Sequence, residues 1–399
     1  MGNVRKLYFI TICQALVFAY VIERLFASER GLSVLEMQYL LIFYSVVTMF
    51  CEIPAGVLSD VWKKKYTLAV GTFICFFEFF ISIFSYNVES FGLAYVAAAV
   101  GGALKSGTIE AILYESLKRE NRTEDFLKIK GRLKFIKYSF YSLAAITGGY
   151  IAQYFGFVAN YWLSLIASPL TICAALSLDE PSRHGRVSTT VSFRLFFAQL
   201  KRSCGFVWNH DELRKIVVVS AIIHAVLYGQ LHEMSMLLYQ DLNIGVQHFG
   251  LISLGITAVV AISGFVSPKL ETKIVKKVPF VFSIVTASLS IFLFATLRFW
   301  WAIILLVVAI GILEILLPIF SRFIHDQAPD EIRVTITSTE AVVINLFSAG
   351  IGVACGYIAD VYSIQTSFQV LACTLLLALA FKPVRDNQFI KDEHFTKKS

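Results

Sequence analysis

The sequence predicts an all-α membrane protein with twelve transmembrane helices in two six-helix bundles, and three observations support this prediction. First, 57% of its 399 residues are hydrophobic and only 16% are charged, a balance that excludes an ordinary soluble domain. Second, the chain has twelve apolar segments long enough to cross about 30 Å of hydrocarbon. Third, one long connection and an internal repeat divide these segments into two sets of six.

The twelve spans follow one another with short connections in each half. The first span follows Arg5 and Lys6 without a small-residue cleavage site, so we expect it to be retained. Ser33 and Glu36 form a capping-box pattern that predicts the start of the second helix. The predicted spans are Lys6–Phe26, Leu35–Leu58, Tyr66–Tyr86, Phe91–Leu117, Leu133–Tyr154, Phe157–Leu178, Leu213–Tyr239, Phe249–Leu270, Val278–Leu297, Phe299–Phe323, Val334–Ala359 and Ile364–Phe381.

Positive charge is concentrated in alternate loops. Of the 35 Lys and Arg residues, 31 lie in or at the edges of the loops assigned to the cytoplasmic side, and only Arg30 and Arg298 fall in the opposite set of loops. The positive-inside rule therefore places both termini in the cytoplasm, and we expect the chain to lie in the plasma (cytoplasmic) membrane. The same asymmetry explains the net charge of +7 without a nucleic-acid partner.

The longest connection predicts the domain boundaries. We expect an N-terminal bundle at 1–178, a cytoplasmic linker at 179–212, and a C-terminal bundle with its tail at 213–399. The linker has a helical apolar pattern that suits either a helix on the inner leaflet or a solvated tether. The residues of this pattern are Phe193, Arg194, Phe196, Phe197, Leu200, Lys201 and Arg202. The repeat pairs Gly149–Ala152 with Gly356–Ala359.

A charged connection after the second span carries a recognisable motif. We expect Gly56–Lys65 to form a tight turn at the membrane surface, with close backbone approach at Gly56 and Asp60 free to cap a helix or pair with a base. The stretch resembles the signature loop between helices 2 and 3 of the major facilitator superfamily, Gly-x-Leu-x-Asp-x-x-Gly-Arg-Arg/Lys. Its matching positions are Gly56, Leu58, Asp60, Lys64 as the first base and Lys65 as the last, with Lys63 in place of glycine. The resemblance implies two bundles that rock around a central site, and a gating role for the motif.

The fourth span extends this resemblance to a subgroup. Its pattern is similar to that of a large group of bacterial drug-efflux-like members, and Lys105 is its only basic residue before the cytoplasmic end. The residues that carry the similarity are Ser106, Gly107, Glu110, Ala111, Tyr114, Glu115, Ser116 and Leu117.

Ionisable residues within the spans are the candidate functional residues, because a charge near the bilayer centre costs about 2.5–3.5 kcal/mol. The resemblance implies that spans 1, 4, 7 and 10 line the central cavity, and most deep charges lie on these spans. The candidates for proton coupling or the substrate cavity are Glu23, Arg24, Lys105, Glu110, His224, His232, Glu233 and Glu314. Glu52, Glu78 and Glu340 lie on other spans.

Several of these candidates also have a structural interpretation. Glu23 and Arg24 suit a snorkelling pair at the outer interface, Glu110 suits a carboxylate that packs between helices, and His224 suits a polar contact between helices. The repeat offset places Lys105 and Glu314 at similar depth in the two halves, so a pair across the cavity is a further expectation.

Proton-coupled export of a small amphipathic or aromatic-bearing molecule is the predicted function. A carboxyl group buried away from water holds a proton more readily, so a cavity glutamate can carry a proton and be displaced by substrate. The first alternative is an importer or uniporter of a sugar or carboxylate, and the second is a lipid flippase or a non-transporting receptor. We expect a monomer in the lipid bilayer, no cofactor or metal, and no enzymatic activity, since catalytic motifs are absent from the sequence.

Overall fold

The fold is all-helical, as the composition predicted. The computed structural model describes residues 2–179, 201, 204–274, 277–327 and 333–381, and within these ranges it contains helices and no strands. The chain divides into two compact units. Unit 1 consists of Met1–Phe193 and Gly245–Leu254, and unit 2 consists of Arg194–Ile244 and Gly255–Ser399. The predicted amphipathic pattern of the linker, apart from Lys201, lies outside the described residues.

Fifteen α-helices form the described part of the two units. The first eight are α1 Asn3–Ala15, α2 Glu23–Glu29, α3 Val34–Val61, α4 Lys64–Ile83, α5 Val88–Lys105, α6 Thr108–Arg119, α7 Phe126–Phe155 and α8 Phe157–Leu176. The other seven are α9 Asp211–Val226, α10 His232–Asp241, α11 Phe249–Ile274, α12 Lys277–Thr296, α13 Ile303–Gln327, α14 Arg333–Val361 and α15 Ile364–Leu376.

Eleven helical stretches of the described chain are long and apolar enough to cross a membrane. The predicted fifth span, Leu133–Tyr154, is not among them, although it lies within α7, a helix of 30 residues. The reason is its polar content, because five basic residues occupy the first half of α7 and several hydroxyl groups the second. The structure thus supports the twelve-helix prediction approximately, with α7 as the least apolar member.

Helix ends follow the local sequence signals. The predicted capping box is confirmed: the Ser33 hydroxyl accepts from the Glu36 amide at 3.2 Å, and the Glu36 carboxylate accepts from the Ser33 amide at 2.8 Å. Asn87 and Ser90 form an equivalent box at the start of α5. These contacts satisfy backbone donors that a helix N-terminus leaves without partners.

Three predicted spans are interrupted helices, although each remains a single candidate membrane span. The first span breaks after α1 and resumes with a 3₁₀ turn at Tyr20–Ile22 and α2. The fourth breaks between α5 and α6, where Gly107 adopts a φ of 66°. The seventh contains a π-helical turn at Leu227–Leu231 between α9 and α10. Interrupted helices and π turns within a membrane are frequent at functional sites because they expose backbone groups and re-aim side chains.

Small residues bring two helices of unit 1 together. A Cβ atom on Gly101 of α5 would lie 2.6 Å from the Cys75 sulfur and 2.7 Å from the Gly71 carbonyl oxygen of α4. Only glycine permits this approach, so the glycines at these positions allow α4 to pack closely on α5.

In unit 2, Phe294 on α12 packs against Phe368 on α15. Both side chains are buried, and their ring centroids lie 6.2 Å apart.

Candidate functional site

Side chains of α8 hold the break in the first span open. The Asn160 side chain is fully buried and donates to the carbonyl oxygens of Phe18 at 2.8 Å and Gly148 at 2.9 Å. The Ser164 hydroxyl accepts from the backbone amides of Phe18 at 3.0 Å and Ala19 at 3.1 Å. These bonds replace the helical bonds that the break removes, which a lipid environment requires. The break thereby fixes the start of α2.

The first polar cluster of unit 1 lies just after this break. Arg24 is 3% exposed and donates to the Tyr95 hydroxyl at 2.6 Å. Tyr95 in turn donates to Glu23 at 2.5 Å, and the Arg24 and Glu23 side chains are 3.7 Å apart. The interpretation of Glu23 and Arg24 as a snorkelling pair is wrong, because Arg24 is enclosed by protein and its charge is bound within the unit.

Glu78 and Tyr20 extend this cluster around a small cavity. The Tyr20 hydroxyl donates to Glu78 at 3.4 Å, and both residues line the cavity together with Glu23, Arg24 and Tyr95. The cavity volume is about 20 Å³, which is room for roughly one water molecule. In this conformation the cluster can hold a water or exchange a proton, and it has no room for an organic substrate.

Lys105 lies at the C-terminal end of α5, beside the close crossing of α4 and α5. Its side chain is partly buried and interacts electrostatically with the Cys75 thiol. It also interacts electrostatically with Glu78. Lys105 therefore belongs to the polar cluster of unit 1. The pairing of Lys105 with Glu314, which lies in unit 2, stays a prediction.

A second polar cluster, in unit 2, surrounds Glu314 on α13. Glu314 is 8% exposed and accepts a hydrogen bond from the Tyr228 hydroxyl at 2.7 Å. The His232 Nε2 atom lies 4.0 Å from the Glu314 carboxylate. The rings of Tyr228 and His232 stack with centroids 5.2 Å apart. Among the described residues, His232 is the only ion-pair partner of Glu314, so this buried carboxyl group has no lysine or arginine to hold it ionised.

The same face of α9 continues the cluster towards α14. The His224 Nδ1 atom lies 3.0 Å from the Ser220 carbonyl oxygen and 3.4 Å from the Ser220 hydroxyl. Ser220 donates to Glu340 on α14 at 2.9 Å. Glu340 is also buried. Ser220, His224, Tyr228 and His232 recur every four residues, which aligns them on one face of the helix.

The predicted site residues Glu110 and Glu233 have surroundings that differ from those of Glu314. Glu110 is exposed over 55% of its side chain and forms a 2.7 Å ion pair with Lys130 on α7. Its interpretation as a buried carboxylate between helices is therefore wrong, since the break at Gly107 begins a new helix and turns this residue outward. Glu233 is partly buried and interacts electrostatically with the neighbouring His232.

The signature motif is mostly helical, which corrects the prediction of a tight turn over Gly56–Lys65. Helix α3 continues to Val61, and only Trp62 and Lys63 connect it to α4. No described atom lies within 4 Å of a Cβ placed on Gly56, so the expected close approach is absent there. The side chain of Asp60 lies outside the described residues.

The bases of the motif connect α4 to other elements of unit 1. Lys64 is buried and forms an ion pair with Glu115 on α6. Lys65 donates to the Leu178 carbonyl oxygen at 3.2 Å, beyond the end of α8. The two lysines thus fix the start of α4 to α6 and to the segment that follows α8.

Sequence reasoning missed the uncharged members of both clusters. Tyr20 and Tyr95 contact the first cluster from separate spans, and no local pattern identifies them. Tyr228 and Ser220 had a usable signal, because each lies four residues from His224 on the same helical face. That spacing would have predicted one continuous polar stripe.

The sequence and the fold both match known transporters. The profile described as Major Facilitator Superfamily matches residues 7–339 and 233–394. An uncharacterized transporter from Buchnera aphidicola subsp. Schizaphis graminum is 27% identical over 144 residues, covering 35% of this chain and 34% of the relative. The match therefore spans about a third of that relative's length.

Solved structures share the fold at low sequence identity. The crystal structure of the nucleoside transporter NupG has a TM-score of 0.75 and 16% identity, with 96% of this chain and 98% of that chain covered. A POT family transporter in complex with a thioalcohol conjugated peptide has a TM-score of 0.65 and 13% identity, with 94% of each chain covered. Because the family profile covers most of the sequence and the helical fold agrees with it, the chain belongs to the Major Facilitator Superfamily of membrane transporters.

Proposed function

We propose that the chain is a proton-coupled secondary transporter, in which Glu314 carries the proton. The observation that supports this assignment is the burial of Glu314 with a neutral hydrogen-bond donor, Tyr228, and with no lysine or arginine paired to it among the described residues, where the nearby bases are the histidines His224 and His232. An ionised carboxylate is costly in such surroundings, whereas a protonated one is not. Glu314 can therefore bind a proton in one state of the transport cycle and release it in another.

The surroundings of Glu314 also favour a substrate with an aromatic ring. Tyr228 is 44% exposed although its hydroxyl is bound to Glu314, so part of its ring surface is accessible beside the carboxyl group. Aromatic rings and organic cations both bind such faces. A substrate that stacks on Tyr228 would compete with the proton for Glu314, which couples the two binding events.

Export is the proposed direction, with a drug-efflux-like role as the sequence predicted. In this cycle Glu314 binds a proton from outside, the transporter reorients, and substrate binding on the inside displaces the proton. Import of a solute is the second candidate. It is favoured by the fold similarity to a solved nucleoside transporter.

Transport in everted membrane vesicles tests the coupling. An imposed pH gradient, acidic inside the vesicle, should drive accumulation of ethidium, a fluorescent aromatic cation. In Glu314→Gln this gradient-driven accumulation should disappear while ethidium counterflow remains, because only the proton step is lost. The matched control is Glu124→Gln, which changes an exposed glutamate between α6 and α7. Full gradient-driven transport in Glu314→Gln would contradict the proposal.

A second probe tests the direction. Radiolabelled uridine is supplied to right-side-out vesicles under a gradient that is acidic outside, and to everted vesicles under the gradient used for ethidium. Uridine uptake that follows protons into right-side-out vesicles, without ethidium accumulation in everted vesicles, would replace export with import. The proton-carrying role of Glu314 would then be examined with uridine as the probe.

A further inference from the structure

We propose that His224 and Ser220 form a proton relay that connects Glu314 to Glu340 along one face of α9. This inference rests on the proposed role of Glu314 and adds the path by which its proton leaves. The groups that meet along the relay are Glu314, Tyr228, His232, His224, Ser220 and Glu340, contributed by α9, the π turn, α10, α13 and α14.

The contacts of His224 determine which nitrogen can accept a proton. Nδ1 lies 3.0 Å from the Ser220 carbonyl oxygen, and a carbonyl oxygen can only accept a hydrogen bond. Nδ1 of the neutral ring therefore carries the hydrogen, and Nε2 is the free base. The ring of Tyr228, which holds Glu314, lies 5.8 Å from the His224 ring, and His224 interacts electrostatically with Glu314.

On the other side of His224, the Ser220 hydroxyl lies between the imidazole ring and Glu340. Nδ1 lies 3.4 Å from the Ser220 hydroxyl, which donates its own hydrogen to Glu340. The serine hydrogen is thus already oriented towards Glu340, whereas the Nδ1 hydrogen has to turn from the Ser220 carbonyl oxygen to the hydroxyl oxygen. Both terminal carboxyl groups are buried, so the relay offers a route where bulk water has little access.

The transfer from Glu314 to Glu340 conserves the number of protons at each step. Protonated Glu314 gives its proton to Nε2 of His224, through a bridging water or after a rotation of the carboxyl side chain. The Nδ1 hydrogen moves to the hydroxyl oxygen of Ser220, and the original hydroxyl hydrogen of Ser220 moves to the Glu340 carboxylate. One proton leaves Glu314 and one arrives at Glu340, and rotation of the serine hydroxyl and the imidazole restores the starting arrangement.

The relay runs from the π turn towards the N-terminal end of α9. The step from Tyr228 to Ser220 spans eight residues, or about 12 Å along a helix, towards the N-terminal end of α9 at Asp211. Glu340 is likewise near the start of α14 at Arg333. The loop charges predict that both ends face the cytoplasm. A proton that follows this relay would therefore be released inward, which agrees with the proposed exchange of an incoming proton for an outgoing solute.

Infrared spectroscopy after a rapid rise in pH tests the relay without requiring a substrate. Purified protein in liposomes is used, and the protonated carboxyl band of Glu314 is identified as the band missing from Glu314→Gln. Loss of the relay in His224→Gln should slow the decay of this band by at least about tenfold. The same slowing is expected in Ser220→Ala and should be absent in Ser220→Thr, which keeps the hydroxyl group.

Two further measurements separate a relay from a structural role. In His224→Gly, imidazole added to the buffer should restore the rate, because it replaces the missing base without repairing the helix. The control is His248→Gln, an exposed histidine outside the relay, which should decay at the wild-type rate. A wild-type rate in both His224→Gln and Ser220→Ala would overturn the relay alone. If Glu314 never changes protonation in the wild type, the proposed function fails instead.

Discussion

Replacing Asn160 with alanine is expected to destabilise unit 1 because it removes the support of the break in the first span. The Asn160 side chain makes two hydrogen bonds, of 2.8 and 2.9 Å, to the carbonyl oxygens of Phe18 and Gly148. A hydrogen bond of this kind contributes about 0.5–1.5 kcal/mol net in proteins, and about 0.6 kcal/mol on average between transmembrane helices. The loss of both bonds should therefore reduce the free energy of unfolding by about 1–3 kcal/mol.

Unfolding by sodium dodecyl sulfate in mixed micelles, followed by circular dichroism, measures this change. Asn345→Ala provides the control, since Asn345 is an exposed asparagine in the middle of α14, and it should alter stability by no more than about 0.5 kcal/mol. If Asn160→Ala unfolds at the same detergent fraction as Asn345→Ala, the side chain of Asn160 does not hold the break. The account of how Glu23 and Arg24 are positioned would then be refuted.

Three other changes test the packing, the buried charge and the signature motif. Gly101→Ala should reduce the free energy of unfolding by about 1–3 kcal/mol, because its Cβ would overlap Cys75. The control Gly131→Ala has open space around it and should not destabilise the protein. Equal stabilities of the two variants would refute the close crossing of α4 and α5. Arg24→Gln should cost about 1.5–3 kcal/mol in the same assay because it removes a buried charge that binds Tyr95 and Glu23, and a cost no greater than that of the exposed Arg132→Gln would show that the pairing contributes nothing. Asp60→Asn should slow transport without lowering expression, and wild-type turnover would remove Asp60 from the gate.

The membrane class and the order of the helices were predictable from sequence because both depend on local composition. Hydrophobic length identifies a span without knowledge of its neighbours, and the capping pair Ser33 and Glu36 marks a helix start through contacts within four residues. The interruption at Gly107 also had a local signal, since glycine readily adopts its positive φ. These features need no tertiary information.

The interruption of the first span could not be predicted in this way. Its residues are ordinary for a transmembrane helix, and the break is stabilised by Asn160 and Ser164, which lie more than a hundred residues further along the chain. The grouping of Tyr20, Glu78 and Tyr95 around one cavity depends on three separate spans in the same way. Sequence reasoning found most of the charged members of the two clusters because charges are rare in spans, and it missed the tyrosines because they are common there.

The pH inside proteoliposomes reports whether Glu314 couples solute movement to proton movement. Protein is reconstituted into vesicles loaded with the pH-sensitive dye pyranine, and ethidium is added outside without an imposed gradient. In the wild type, ethidium entry should be accompanied by proton exit and a rise in internal pH. Glu314→Gln should exchange ethidium with no change in pH. An equal pH change in the wild type and in Glu314→Gln, or ethidium entry into wild-type vesicles with no pH change, would contradict the account.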